Sequence, residues 1–232
     1  MGKEGIHDGH RERVKKEFLQ NGFDVNTPPH KIMEMLLFYS IPRKDTNELA
    51  HILLNRFGTI SGILDAPTGE LIKIPGISTN TAALIKLIIP IARIYLTETN
   101  SKSRRYLRAD DVCDYLMNMY FGYQKEVFSV TSFSGNGRML GFDILASGNV
   151  NEVNVSTRKV LETVINRNAV CAIIAHNHPN GTAVPSEADI AVTKDIKNAL
   201  EHINVKLLDH IVISGDDYVS MCQSKAYRYI FE

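Results

Sequence analysis

Apolar residues recur every three to four positions over residues 8–20, about 32–40, 45–57 and 80–96, the spacing of helices that bury one face. Thr46-Asn47-Glu48 and Thr79-Asn80 have the chemistry of helix starts, and Gly22 and Gly58 that of stops. Pro90 should kink the last of these helices or end its regular hydrogen bonding. No alternating run occurs before about residue 125, so residues 1–96 read as an all-helical domain. Residues 97–109 are polar and rich in Ser, Thr and Arg and read as a linker. Beyond it the period changes. A helix capped by Asp110 or Asp111 should run to about Tyr120, followed by strands at about 125–133 and 138–146. These are joined by Ser134-Gly135-Asn136-Gly137, whose Asn-Gly pair is a hairpin signal. A helix at 156–168, a strand at 170–176, a helix at about 186–202 and strands at about 206–213 and 217–222 complete the pattern. Residues 110–232 thus predict a three-layer α/β (α+β) domain with a mostly antiparallel sheet.

Composition narrows this picture only slightly. The 232 residues are 44% hydrophobic and 22% charged, ordinary values for a globular chain of one or two domains. Net charge is zero, but residues 1–108 carry 16 Lys+Arg against 11 Asp+Glu, and residues 109–232 carry 10 against 15. That split suggests two domains with different work, and a basic half is a weak pointer to nucleic acid. Cys113, Cys171 and Cys222 are far apart, odd in number and without a C-x-x-C pair, which fits a reduced, cytoplasmic protein. The first residues lack the apolar core of a signal peptide. The most apolar run, Ala82 to Leu96, is broken by Lys86, Pro90 and Arg93 and reads as too short and too charged for a membrane span.

The chemistry concentrates in one segment. The apolar run Val170–Ala175 is followed by His176-Asn177-His178, then by Ser186 and Asp189. Residues two apart on a strand face the same way, so His176 and His178 can converge on one ion. Pro185-Ser186-Glu187 opens a helix, and Asp189 projects from its first turn. Two imidazoles and a carboxylate suit zinc, and three protein ligands leave a fourth tetrahedral position open for water, as in a catalytic site. Ser186 is also a good N-cap. His7 and His10 look like a second metal pair, but their surroundings fit a polar helix start.

The order H-x-H, seven residues, Ser, two residues, Asp resembles the JAMM, or MPN-plus, metallohydrolase motif. The wording from His176 to Ile196, with Leu207-Leu208-Asp209-His210 after it, resembles the bacterial RadC family in particular. The stretches from Gly9 to Asp24 and from Glu34 to Gly58, and Ile74-Pro75-Gly76-Ile77-Ser78, are similar to the helical region of that family, so the resemblance spans nearly the whole chain.

The resemblance implies an MPN-like fold for residues 110–232 and one zinc ion per chain held by His176, His178 and Asp189. It also implies a Glu on an early strand as general base. Glu126 has that position, 50 residues before His176; Glu152, in a loop, and Glu162, within a helix, do not match the context. In the family pattern the Ser186 hydroxyl helps to hold the oxyanion or the metal-activated water, and characterised members cleave peptide or isopeptide bonds. His210 reads as a structural residue or a support to the ligands. Residues 71–78 are similar to a helix-hairpin-helix turn whose backbone N–H groups contact a DNA phosphate. Here Ser78 replaces the second Gly after Gly76, and Arg104 and Arg105 of the linker are candidates for further phosphate contacts. Weak, sequence-independent DNA binding is thus the competing expectation.

Overall fold

The computed structural model describes residues 6–42, 44–100, 109–148, 156–179 and 181–232. The chain folds as two compact units, Met1–Ala92 and Arg93–Glu232. The first holds α1 (Ile6–Asn21), α2 (Pro29–Phe38), α3 (Asn47–Phe57), α4 (Ile60–Asp65), α5 (Thr68–Ile72) and the front of α6 (Thr79–Asn100). Met33, Leu37, Leu53, Ile63, Leu71 and Ile85 are fully buried at its centre. Gly58 ends α3 at φ 82°, a conformation that suits glycine. The short α4 and α5 were not expected from the sequence. Six and five residues span too few turns to show a helical period, and α4 is started by a local device, the Thr59 hydroxyl accepting the Gly62 N–H.

The largest departure from expectation is α6. It passes through Pro90 and runs to Asn100, so residues 97–100 are helix rather than linker. Proline removes one N–H from the ladder, and the helix continues on both sides of it. The hydroxyls of Thr97 and Thr99 donate back to the carbonyls of Arg93 and Tyr95 at 2.8 and 2.9 Å, which suits threonine to this last turn. The extra length also changes the membrane argument: by length and composition alone, Thr79–Thr99 is long and apolar enough to cross a bilayer. Within the first unit, however, Thr81, Ala82 and Ile85 are buried, and Lys86 Nζ donates to the carbonyls of Leu64 and Ala66.

The second unit contains α7 (Ala109–Tyr120), β1 (Glu126–Phe133), β2 (Met139–Gly148), α8 (Thr157–Asn166), β3 (Cys171–Asn177), α9 (Glu187–Glu201), β4 (Lys206–Ser214) and β5 (Asp217–Ser220). The sheet order is β2-β1-β3-β4-β5. β3 and β4, joined through α9, are parallel and the other three pairings are antiparallel, so the sheet is mostly antiparallel, as expected. The hairpin between β1 and β2 closes where expected, with Gly137 at φ 77°. Strand alternation sorts the core into two faces. Val127, Phe133, Ala175 and Ile211 pack under Val112, Leu116 and Tyr120 of α7. Phe128, Val130 and Ile174 face Val160 and Val164 of α8 and Ile196 and Leu200 of α9. The result is three layers: α7, sheet, then α8 with α9.

Tyr120 pins α7 to the sheet. Its buried hydroxyl lies 2.7 Å from both the Ala175 carbonyl and Ser129 Oγ. Because the carbonyl can only accept, Tyr120 donates to it and Ser129 donates to Tyr120. Tyr120→Phe leaves both partners short of a bond inside the core. It is expected to cost about 1–2 kcal/mol, read by calorimetry as a thermal midpoint a few degrees lower; an unchanged midpoint would mean the bonds contribute nothing net.

Candidate metal centre

β3 delivers His176 at its end and His178 just past it, with β1 antiparallel beside it and Phe128 directly opposite His176. The His176 and Phe128 rings stack at 6.5 Å between centroids. The carboxylate comes from the start of α9. Ser186 is the N-cap: its Oγ accepts the Asp189 N–H at 3.2 Å. In return Asp189 Oδ2 accepts from the Ser186 N–H at 2.7 Å and from its hydroxyl at 2.6 Å. This capping box fixes the Asp189 rotamer. The N-cap role expected of Ser186 is therefore realised, and its hydroxyl proton points at Asp189.

The ligand atoms of His176, His178 and Asp189 all lie within 4.8 Å of one another, forming a group able to hold a metal ion. Nε2 of His176 is 3.1 Å from Asp189 Oδ1, Nε2 of His178 is 3.6 Å from Oδ2, and the two nitrogens are 3.0 Å apart. Atoms bound tetrahedrally to one zinc at about 2 Å stand about 3.3 Å from one another, so this spacing fits a single ion. The three side chains are 10%, 21% and 18% exposed, which leaves the group reachable from solvent. His178 Nδ1 lies 2.8 Å from the Thr182 carbonyl. A carbonyl only accepts, so the ring donates from Nδ1, and in the neutral ring the lone pair of Nε2 faces the Asp189 carboxylate. Burial pushes the Asp189 carboxyl up. Its hydrogen bond to His176, the charge of that ring when protonated, and the two bonds from Ser186 outweigh burial and hold it below the usual carboxylate range. Behind His176 stands His210, whose Nε2 is 2.8 Å from His176 Nδ1 and whose burial depresses its pKa well below the usual value, keeping it uncharged.

Glu126 is the first residue of β1. Alternation places it on the face of Phe128, hence on the face of His176, at the strand end next to the histidines. It is not one of the three clustered groups. Its main chain is held from both sides by Asn177, which the sequence reading passed over. Asn177 Oδ1 accepts the Val127 N–H at 2.7 Å, and Nδ2 donates to the Lys125 carbonyl at 3.1 Å. The signal was its place between the two histidines, on the opposite face of the strand. Thr193 was also passed over; it is four residues beyond Asp189 and so on the same side of α9.

Other expected residues lie elsewhere. Glu162 is paired with Arg158 on α8, and His10 with Glu34 in the first unit. Gly76, at φ 97°, sits in the turn between α5 and α6, and Ser78 Oγ accepts the Thr81 N–H at 3.1 Å. Arg104, Arg105 and Glu152 lie outside the described residues.

Residues 106–227 match the family model described as the RadC-like JAB domain. With the three-layer sheet and the His-His-Asp group, this defines the class: an α+β, MPN-like domain of the JAMM metallohydrolase type. A UPF0758 protein of Fusobacterium nucleatum is 33% identical, covering 94% of this chain and 96% of that protein. UPF0758 proteins of Methylibium petroleiphilum and Carboxydothermus hydrogenoformans are 34% and 32% identical, over 83% and 90% of this chain. The chain belongs to the RadC family.

Proposed function

We propose that this protein is a zinc-dependent hydrolase of peptide or isopeptide bonds, with His176, His178 and Asp189 as ligands and Glu126 as general base. The observation that carries the reading is the convergence of three electron-rich atoms, two ring nitrogens and a carboxylate, at the spacing of ligands around one ion. In the neutral His178 ring the Nε2 lone pair and the carboxylate repel, and a proton or a metal ion between them turns that contact favourable. Two nitrogens and one oxygen, with a fourth position free, are the donor set of catalytic zinc.

Zinc held there would polarise a carbonyl and lower the pKa of water to roughly 7. The rest of the chemistry belongs to the chain. Glu126, on the strand beside the histidines, takes the proton of the attacking water and returns it to the leaving amine. Ser186 keeps Asp189 in place through the capping box; a turn of its hydroxyl would bring the proton to a developing oxyanion. The amide substrate class is carried over from the RadC and JAMM relationship. The test is turnover of fluorogenic peptides and of lysine-ε-linked isopeptides. Hydrolysis that a chelator stops and added zinc restores supports the reading, and a zinc-loaded protein inert toward both bond types contradicts it.

A second reading, weak DNA contact by the turn between α5 and α6, draws on the positive φ of Gly76 and on the basic balance of residues 1–108. Against it, Ser78 already occupies one N–H that a phosphate would use. Here Glu126→Gln would be silent, while reversing Arg104 and Arg105 to Glu would remove a salt-dependent DNA interaction.

A further inference from the structure

Histidine ligates a metal through a ring nitrogen that carries no proton, so the tautomer decides whether Nε2 can bind. For His178 the Thr182 carbonyl makes that choice. For His176 the partner at Nδ1 is another imidazole, His210, which can donate or accept. The choice is therefore made further along. His210 Nδ1 lies 2.6 Å from Thr193 Oγ1, and Thr193 Oγ1 lies 2.5 Å from the main-chain carbonyl of Asp189, one turn earlier on α9. A carbonyl oxygen has no proton to give, so the single proton of Thr193 goes to it. The Met221 sulfur, 3.7 Å from the same hydroxyl, is the weaker acceptor.

The remaining protons follow in order. Thr193 Oγ1 accepts from His210 Nδ1–H. The uncharged His210 ring then has a bare Nε2, which accepts from His176 Nδ1–H. In the neutral ring His176 Nε2 is then the unprotonated nitrogen and can offer its lone pair to an ion; without an ion, it is where a proton shared with the Asp189 carboxylate, 3.1 Å away, would sit. Run the other way, with Thr193 donating to His210, the same chain would end in a proton on His176 Nε2 and close it to a metal. Thr193 and His210 are 0% and 1% exposed, so water does not replace either bond.

We infer that Thr193 and His210 are positioning residues for the metal centre: the Thr193 hydroxyl, anchored on the Asp189 carbonyl, sets through His210 the tautomer of His176 that offers Nε2 to the ion. The inference rests on the metal reading above. It adds a closed loop in which Asp189 serves twice, its carboxylate toward the ion and its carbonyl toward the relay. The start of α9 and the end of β3 are thereby tied to one geometry.

The test compares wild type, Thr193→Val and Thr193→Ser by zinc affinity, measured in chelator competition, and by the imidazole ¹⁵N spectra of the zinc-loaded proteins. Valine keeps the shape and removes the hydroxyl; serine restores it. Thr193→Val should bind zinc about 10–100-fold more weakly, and Thr193→Ser should return to within a few-fold of wild type. In the zinc-loaded wild type both His176 and His210 should carry their proton on Nδ1, a readout that needs no variant to fold. Tight zinc binding by wild type and Thr193→Val alike overturns the relay alone, as does a proton on His210 Nε2 in the zinc-loaded wild type. Failure of the wild type to bind zinc overturns the metal reading itself.

Discussion

Glu126→Gln is expected to lower kcat/KM for any bond this protein hydrolyses by about 10²–10⁴-fold, with zinc content unchanged. The two side chains have the same shape, but glutamine cannot take a proton from water at neutral pH. The main chain on both sides of position 126 is held by the Asn177 side-chain amide, which bonds the Val127 N–H and the Lys125 carbonyl. Neither bond involves the carboxylate, so the substitution leaves the strand end in place. Glu126 is also outside the group of three clustered ligands, so the ion should stay. The measurement is steady-state kinetics beside metal analysis on the same preparations. A variant with full zinc and full activity would remove Glu126 from the mechanism, and one that lost zinc would make it a ligand instead.

The second large effect is expected from Asp189→Asn, which should weaken zinc binding by more than the roughly 10–100-fold typical of changes behind the ligands. It replaces the one anionic ligand by a neutral amide and so removes most of the charge that balances the ion. The amide oxygen can still accept the Ser186 N–H, and the Asp189 carbonyl that anchors Thr193 is untouched. The start of α9 should therefore persist, and the metal-free variant should unfold close to the metal-free wild type. At saturating zinc the wild type should separate from the variant, because a ligand at about 1,000 times its Kd stabilises the folded state by about 4 kcal/mol. Equal zinc-induced shifts in thermal midpoint for both proteins would show that Asp189 is not a ligand.

The parts of the centre that sequence made legible are those set by short-range geometry. His176 and His178 share a strand face, and Ser186 and Asp189 are an N-cap and the residue three beyond it, so their convergence needs only one strand, one loop and one helix start. The relay behind them was less visible. His210 meets His176 because β3 and β4 run parallel with Ile174 opposite His210, after a register shift between Ala172 and Ile173. Such a slip is set by how two strands pack and leaves no periodic trace. In the first unit the long amphipathic helices stood out, whereas α4 and α5 were too short to repeat their pattern. A polar stretch rich in Ser, Thr and Arg looks like a linker, yet at its start Thr97 and Thr99 find carbonyls on their own helix, and α6 runs on.

The zinc ion proposed at His176, His178 and Asp189 can be looked for directly. Plasma emission analysis of protein purified without chelators, wild type beside His178→Ala, tests for it most directly. About one zinc per chain is expected in the wild type, and its loss in the variant. A wild type without zinc, even after zinc is added back, or a variant that retains it, would contradict a zinc centre at these residues.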